Sequence, residues 1–190
     1  MHKSPDYPRF KSLEELQGYL KALPEYDSWG TGSAKSVDNL WRELELGESM
    51  IAQDGSRKVR VVVGELRSSP TGELRLVELE QTLADGRKRV RSTRPMAEKM
   101  IGNEGPRTAL NRGLFEELGL TTSDFSLSTP EPLTSTTSRL SSSYPGMLSY
   151  YERFIFQVIT SALPQEDFTI TEPDGIRSAT WGWRKMASPE

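Results

Sequence analysis

Along the first fifty residues the apolar positions recur at helical spacing, and beyond them they alternate. In SLEELQGYLKAL (12–23), Leu13, Leu16, Leu20 and Leu23 fall three or four apart, the stripe of a helix with one packed face. Ser12 followed by Glu15 is a capping-box signature for its start, and Pro24 ends it. DSWGTGS (27–33) reads as a loop. A second helix is predicted over 35–51, with Val37, Leu40, Trp41 and Leu44 on one side and Gly47 as a terminator or break.

The period then changes. KVRVVVGEL (58–66) is β-branched and strand-like, and SSPTG (68–72) is a turn. Residues 73–83 alternate Leu74, Leu76 and Leu79 with charges, the pattern of a half-buried strand. ADGRK carries an Asp-Gly hairpin signal, with 87–94 as the return strand. A helix follows from Pro106, with a core stripe of Leu110, Leu114 and Leu118 and Gly119 just past its end. The Ser/Thr-rich stretch 121–146, with Pro130, Pro132 and Pro145, is predicted as a long loop holding at most a short strand near 125–128. Residues 147–159 are predicted as a buried strand. Residues 163–186 read as a loop with a short helix or turn, then a last strand carrying Trp181 and Trp183.

Composition narrows the chemistry. The 190 residues are 35% apolar, which suits one compact domain with an ordered extension. There is no cysteine and a single histidine, His2, at the chain end, so thiol chemistry, cysteine-bound metals and a well-ordered Ser-His-Asp triad are excluded. Catalysis must rest on carboxylates, Lys, Arg, Tyr, Ser or Thr, and a metal would be a hard, oxygen-bound Mg²⁺ or Mn²⁺. No apolar run is long enough to span a membrane, and the N-terminus shows no secretory apolar core. The expected location is therefore the cytoplasm or an organellar stroma. With a net charge of −3 there is no global basic field, and nucleic acid is not an expected partner. The basic run Arg87, Lys88, Arg89, Arg91 and Arg94 reads either as a solvated strand face or as a phosphate-binding wall.

The segment NEGPRTALNRGLFEELGL (103–120) concentrates the candidate chemistry. At about 100° per residue, with Gly113 as origin, Ala109 and Glu116 lie roughly 40° and 60° to one side and Glu117 roughly 40° to the other. The two glutamates thus flank one face whose middle is small, and Arg112 sits four residues before Glu116, within pairing reach. Glu104 lies just before the helix. A solvated acidic face and a metal-binding face both fit this pattern.

The segment resembles the Nudix box, G-x5-E-x7-R-E-U-x-E-E-x-G-U with U a bulky apolar residue. Glu104, Arg112, Leu114, Glu116, Glu117, Gly119 and Leu120 match at the right spacing. Two positions depart: the leading glycine is Glu98, and the first glutamate after the arginine is Gly113. The resemblance covers roughly residues 57–186. EKMIGNE, SSSYPGMLSYYERFIF and FTITE are also similar to a Nudix-like group of photosynthetic organisms.

The resemblance implies an α+β fold, an α/β/α sandwich with a mixed β-sheet, over residues 57–190, preceded by an N-terminal helical extension, 1–56. It implies hydrolysis of a nucleoside diphosphate linked to another moiety, with Glu116 and Glu117 as Mg²⁺ or Mn²⁺ ligands and catalytic residues. Glu104 would be an outer ligand or a water-mediated partner, and Arg112 would orient a glutamate. A homodimer follows from family habit. Loss of a positioned base at Gly113 would cost about 10²–10⁴-fold in rate. The expectation is therefore a weakened or rewired hydrolase. The alternative is an inactive module that binds a nucleotide or a protein partner. Glu98, Glu152, Glu166, Asp167, Glu172 and Asp174 are candidate replacement acids, each also readable as a surface residue. Tyr144, Tyr150 and Tyr151 either stack on a base or pack in the core.

Overall fold

A computed structural model describes residues 10–82, 86–171, 175 and 178–185. Its helices are α1 (Leu13–Leu20), α2 (Val37–Glu45) and α3 (Pro106–Leu118). Its strands are β1 (Met50–Ile51), β2 (Arg57–Arg67), β3 (Leu74–Thr82), β4 (Lys88–Arg94), β5 (Met96–Lys99), β6 (Ser126–Leu127), β7 (Leu133–Leu140), β8 (Leu148–Ile159), β9 (Phe168–Thr171) and β10 (Ser178–Lys185). The strand order is β6-β8-β2-β3-β10-β9, with β1 and β5 also pairing β2, β4 pairing β3 and β7 pairing β8. Three helices and a large mixed sheet make the described chain α+β, as expected.

The chain divides into two compact units. The first comprises Met1–Val61, Lys99–Glu104 and Ser135–Arg153. The second comprises Val62–Glu98, Gly105–Thr134 and Phe154–Glu190. In the first, Leu16 and Leu20 of α1 and Val37 and Leu40 of α2 pack with Ile51, Tyr144 and Met147. Ser12 caps α1 through its hydroxyl, which accepts from the Glu15 N–H. The Glu15 carboxylate accepts from the Lys11 N–H. Ser36 and Asn39 close a full capping box on α2.

Beneath this cluster lies a buried ion network. Glu43, 5% exposed, accepts from the buried Arg57, from Lys35 at 2.7 Å and, as an ion pair at 2.7 Å, from Lys99. The Arg57 guanidinium lies 5.1 Å from the Tyr144 ring centre, and Tyr144 packs on Trp29, whose Nε1 donates to Pro145 O at 2.9 Å.

In the second unit β3 pairs antiparallel with β10, and β10 with β9. A bulge at Thr180/Trp181 shifts the β3–β10 register, and Trp183 anchors β10 by donating from Nε1 to Pro164 O at 2.8 Å. Leu110, Leu114 and Leu118 of α3 are buried, as their spacing predicts. Gly64 of β2 is small because a side chain there would meet Met96 of β5 at 3.0 Å and Leu110 of α3 at 3.4 Å.

Several expectations need correction. α2 ends at Glu45, with Gly47 at φ 70° just beyond it as the expected terminator, so the helix does not run on to 51; Met50–Ile51 instead pair antiparallel with Arg57–Lys58. Strand pairing there outweighs the helical continuation of the apolar pattern. In the stretch 121–146 the short strand expected near 125–128 is β6, Ser126–Leu127, but the rest is not one long loop, since β7 occupies Leu133–Leu140. β7 is almost wholly exposed, so it shows no apolar alternation, although its threonines favour extended backbone. β8 is only partly buried: Ser149, Phe156 and Val158 are inside and the rest are half-buried or exposed. β5 and β9 are additional short strands. The hairpin tip expected at Asp85-Gly86 falls partly outside the described residues, while β3 and β4 pair with Thr82 opposite Lys88.

Candidate active site

The candidate residues centre on α3 and the strand before it. Pro106 occupies the first helical turn, where its missing N–H costs nothing. Gly119 closes the other end in the left-handed region, φ 68°, and the Leu120 N–H donates back to Leu114 O at 3.1 Å. This terminal clasp fixes the turn that carries Glu116 and Glu117, both half-buried. The expected pairing of Arg112 with Glu116 one turn on is present, Nη1 to Oε2 at 3.2 Å.

The same Arg112 nitrogen donates to Glu98 Oε1, also at 3.2 Å. A β5 carboxylate and an α3 carboxylate are therefore held around one guanidinium, whose side chain is only 22% exposed. Such charge-assisted contacts fix carboxylate orientation as well as charge.

Glu98 also accounts for Gly113. Successive strand residues point to opposite faces, so Met96 and Glu98 share one face of β5. That face lies on Gly113: a Cβ added there would stand 2.9 Å from Glu98 Cβ, 3.3 Å from Glu98 Cγ and 3.3 Å from Met96 Sδ. Gly113 is buried, and the helix face that looked small in sequence is filled by Glu98. The signal was visible in the two departures from the box: glutamate stands where the box has glycine, and glycine where it has glutamate.

The other candidates are placed as follows. The Glu104 carboxylate accepts from the Ile101 N–H at 3.1 Å, and its carbonyl accepts from Arg60 at 3.1 Å, so it closes its own turn. Glu152 is exposed and 3.8 Å from Arg60, pointing away from the core as expected. Asp167 and Arg184 form a two-pronged pair at 2.7 and 2.8 Å, and this hydrogen bonding by Arg184 holds the Asp167 carboxyl below its ordinary range. Glu166 is exposed, and Glu172 and Asp174 lie outside the described residues. Tyr144 is fully buried and packs in the core, and Tyr151 lies under Arg139 at 5.0 Å. In the basic strand Lys88 pairs with Glu80 at 2.7 Å, and Arg89 and Arg94 are exposed, which agrees with a solvated face.

Among the described residues no three of His, Cys, Asp and Glu converge as a ready-made cation cage. What converges is two carboxylates and an arginine. Mg²⁺ is commonly held by one or two carboxylates plus substrate phosphates, with water filling the remaining positions. The oxygen donors Glu98 and Glu116 suit that mode and not an all-protein cage.

No protein-family model matches the chain, and no curated protein matches it. Among solved structures, the chain is similar to one described as "Crystal structure of ADP compounds hydrolase". The two are 14% identical with a TM-score of 0.31, over 70% of this chain and 67% of that one. Among the described residues no helix is long and apolar enough to cross a membrane.

Proposed function

We propose that the chain is a Nudix-type hydrolase that cleaves a nucleoside diphosphate linked to another moiety, using a Mg²⁺ or Mn²⁺ ion that arrives with the diphosphate. One observation carries this reading: Arg112 and Glu116, at box spacing on α3, are joined by a further carboxylate, Glu98, at a single guanidinium nitrogen. Two carboxylates against one arginine leave the trio with a formal charge of −1. A diphosphate brought alone would be repelled, and one brought with a divalent cation would be attracted. When bound, the cation would polarise a phosphoryl oxygen and offset the charge that develops on it.

The chain's own residues supply the rest. Arg112 orients Glu98 and Glu116. Glu116 supplies oxygen toward the phosphates. Glu117, half-buried at the next helical position, keeps the ligand role that the box resemblance gives it. Glu104 keeps an outer role on the resemblance alone, because its carboxylate is engaged with the Ile101 N–H.

The test is a panel of ADP-ribose, dinucleotides and nucleoside triphosphates in Mg²⁺ and in Mn²⁺, with Glu116→Gln/Glu117→Gln as control. Turnover of at least one compound above the control is expected, and turnover of none counts against the reading. A second reading is favoured by the burial of Gly113, where no box side chain fits. It is a non-catalytic module that binds a nucleotide or a protein partner. Metal-dependent nucleotide binding without cleavage would select its nucleotide-binding form.

A further inference from the structure

The two departures from the box touch each other. Glu98 Cβ and Cγ occupy the space that a side chain at position 113 would need, and the Glu98 carboxylate reaches the same Arg112 nitrogen as Glu116. We propose that positions 98 and 113 have exchanged roles, so that the carboxylate normally projecting from the helix is delivered from β5 by Glu98, with Gly113 as the clearance it requires. The inference deepens the hydrolase reading and rests on it.

The geometry makes the two substitutions interdependent. Glycine at 113 is unfavourable for a helix interior by about 1 kcal/mol against alanine. Its presence is explained once Glu98 Cβ lies 2.9 Å from where its own Cβ would be. The obstructing atom belongs to the root of the Glu98 side chain, so it cannot swing aside as a flexible tip would. Conversely, a glycine at 98 would leave Arg112 with the carboxylate from the helix alone among these two. Glu98 therefore has a packing role and a charge role, and these are separable. Glu98→Gln keeps the shape and removes the charge. Glu98→Gly/Gly113→Glu restores the family arrangement on both elements at once.

The probe is Mn²⁺ with α,β-methylene-ADP, a diphosphate that cannot be hydrolysed between its phosphates, followed by electron paramagnetic resonance of bound Mn²⁺. Thermal unfolding of each variant runs in parallel. The wild-type chain should bind the pair, and Glu98→Gln should bind it about tenfold or more weakly while melting within a few degrees of wild type. Glu98→Gly/Gly113→Glu should recover most of the binding. Gly113→Glu alone should melt lower than the double variant, because its side chain collides with Glu98. Wild-type affinity in Glu98→Gln would overturn the exchange, leaving Glu98 a packing residue while the hydrolase reading stands. A folded double variant that does not bind would also overturn it. Absence of binding by the wild-type chain itself would instead remove the hydrolase reading, and the exchange with it.

Discussion

Glu43→Gln is the perturbation whose cost can best be worked from the structure. Burial disfavours the charged Glu43 carboxylate, but the Arg57 and Lys99 charges and the hydrogen bonds from Lys35 and Lys99 outweigh it, holding the group at about 2 instead of the ordinary 4.5. At about 1.4 kcal/mol per pH unit, that depression contributes about 3 kcal/mol at neutral pH. The figure agrees with the roughly 3–5 kcal/mol lost when one partner of a buried ion pair is removed. Because the folded value is depressed, the contribution is complete above about pH 4.5 and disappears as pH falls toward 2. Urea unfolding of both chains should therefore show Glu43→Gln less stable by about 3 kcal/mol at pH 7. The gap should narrow steadily below pH 4.5, where the wild-type carboxyl is itself being protonated. Taking the difference between the two chains removes the titration of every other carboxylate. A penalty below about 1 kcal/mol at pH 7, or one that stays constant down to pH 2.5, would refute the reasoning.

Three further outcomes follow from the same structure. Gly119→Ala should cost about 1–2 kcal/mol in urea unfolding, because position 119 needs the left-handed backbone and no neighbouring atom obstructs the added methyl group, so the loss is purely conformational. Asp167→Asn should leave the urea unfolding midpoint nearly unchanged despite its two short contacts with Arg184, since both side chains are well exposed to solvent. Arg112→Ala releases two carboxylates that repel each other; it should cost about 1–2 kcal/mol and lower any measured diphosphate hydrolysis by about a hundredfold, with kcat falling more than KM rises.

The elements legible in sequence were those with a strong period or a sharp terminus. α3 was bounded correctly because Pro106 and Gly119 fix its ends by covalent geometry, and Leu110, Leu114 and Leu118 mark its buried stripe. β2 and β3 were found from β-branching and alternation. β7 was missed because an exposed strand has no buried face to write a pattern; the stop of α2 at Gly47 was legible, but the strand beyond it was not, because the pairing of Met50 and Ile51 is decided by residues outside the helix. At the candidate site, Arg112 and Glu116 could be paired from helical spacing alone. The contact of Glu98 with Gly113 joins residues fifteen positions apart on a strand and a helix, and only the reciprocal substitution in the box hinted at it. Glu43 gave no sequence signal, since its partners Lys35, Arg57 and Lys99 are assembled by the fold.

The central claim is that Glu98 and Glu116, held in place by Arg112, ligate a divalent cation when a diphosphate is present. Its most direct measurement is the anomalous scattering of Mn²⁺ in crystals soaked with α,β-methylene-ADP. A manganese peak at bonding distance from oxygens of both carboxylates and of the diphosphate is the predicted result. A bound diphosphate with no manganese at either carboxylate, or a manganese ion held elsewhere on the chain, would contradict it.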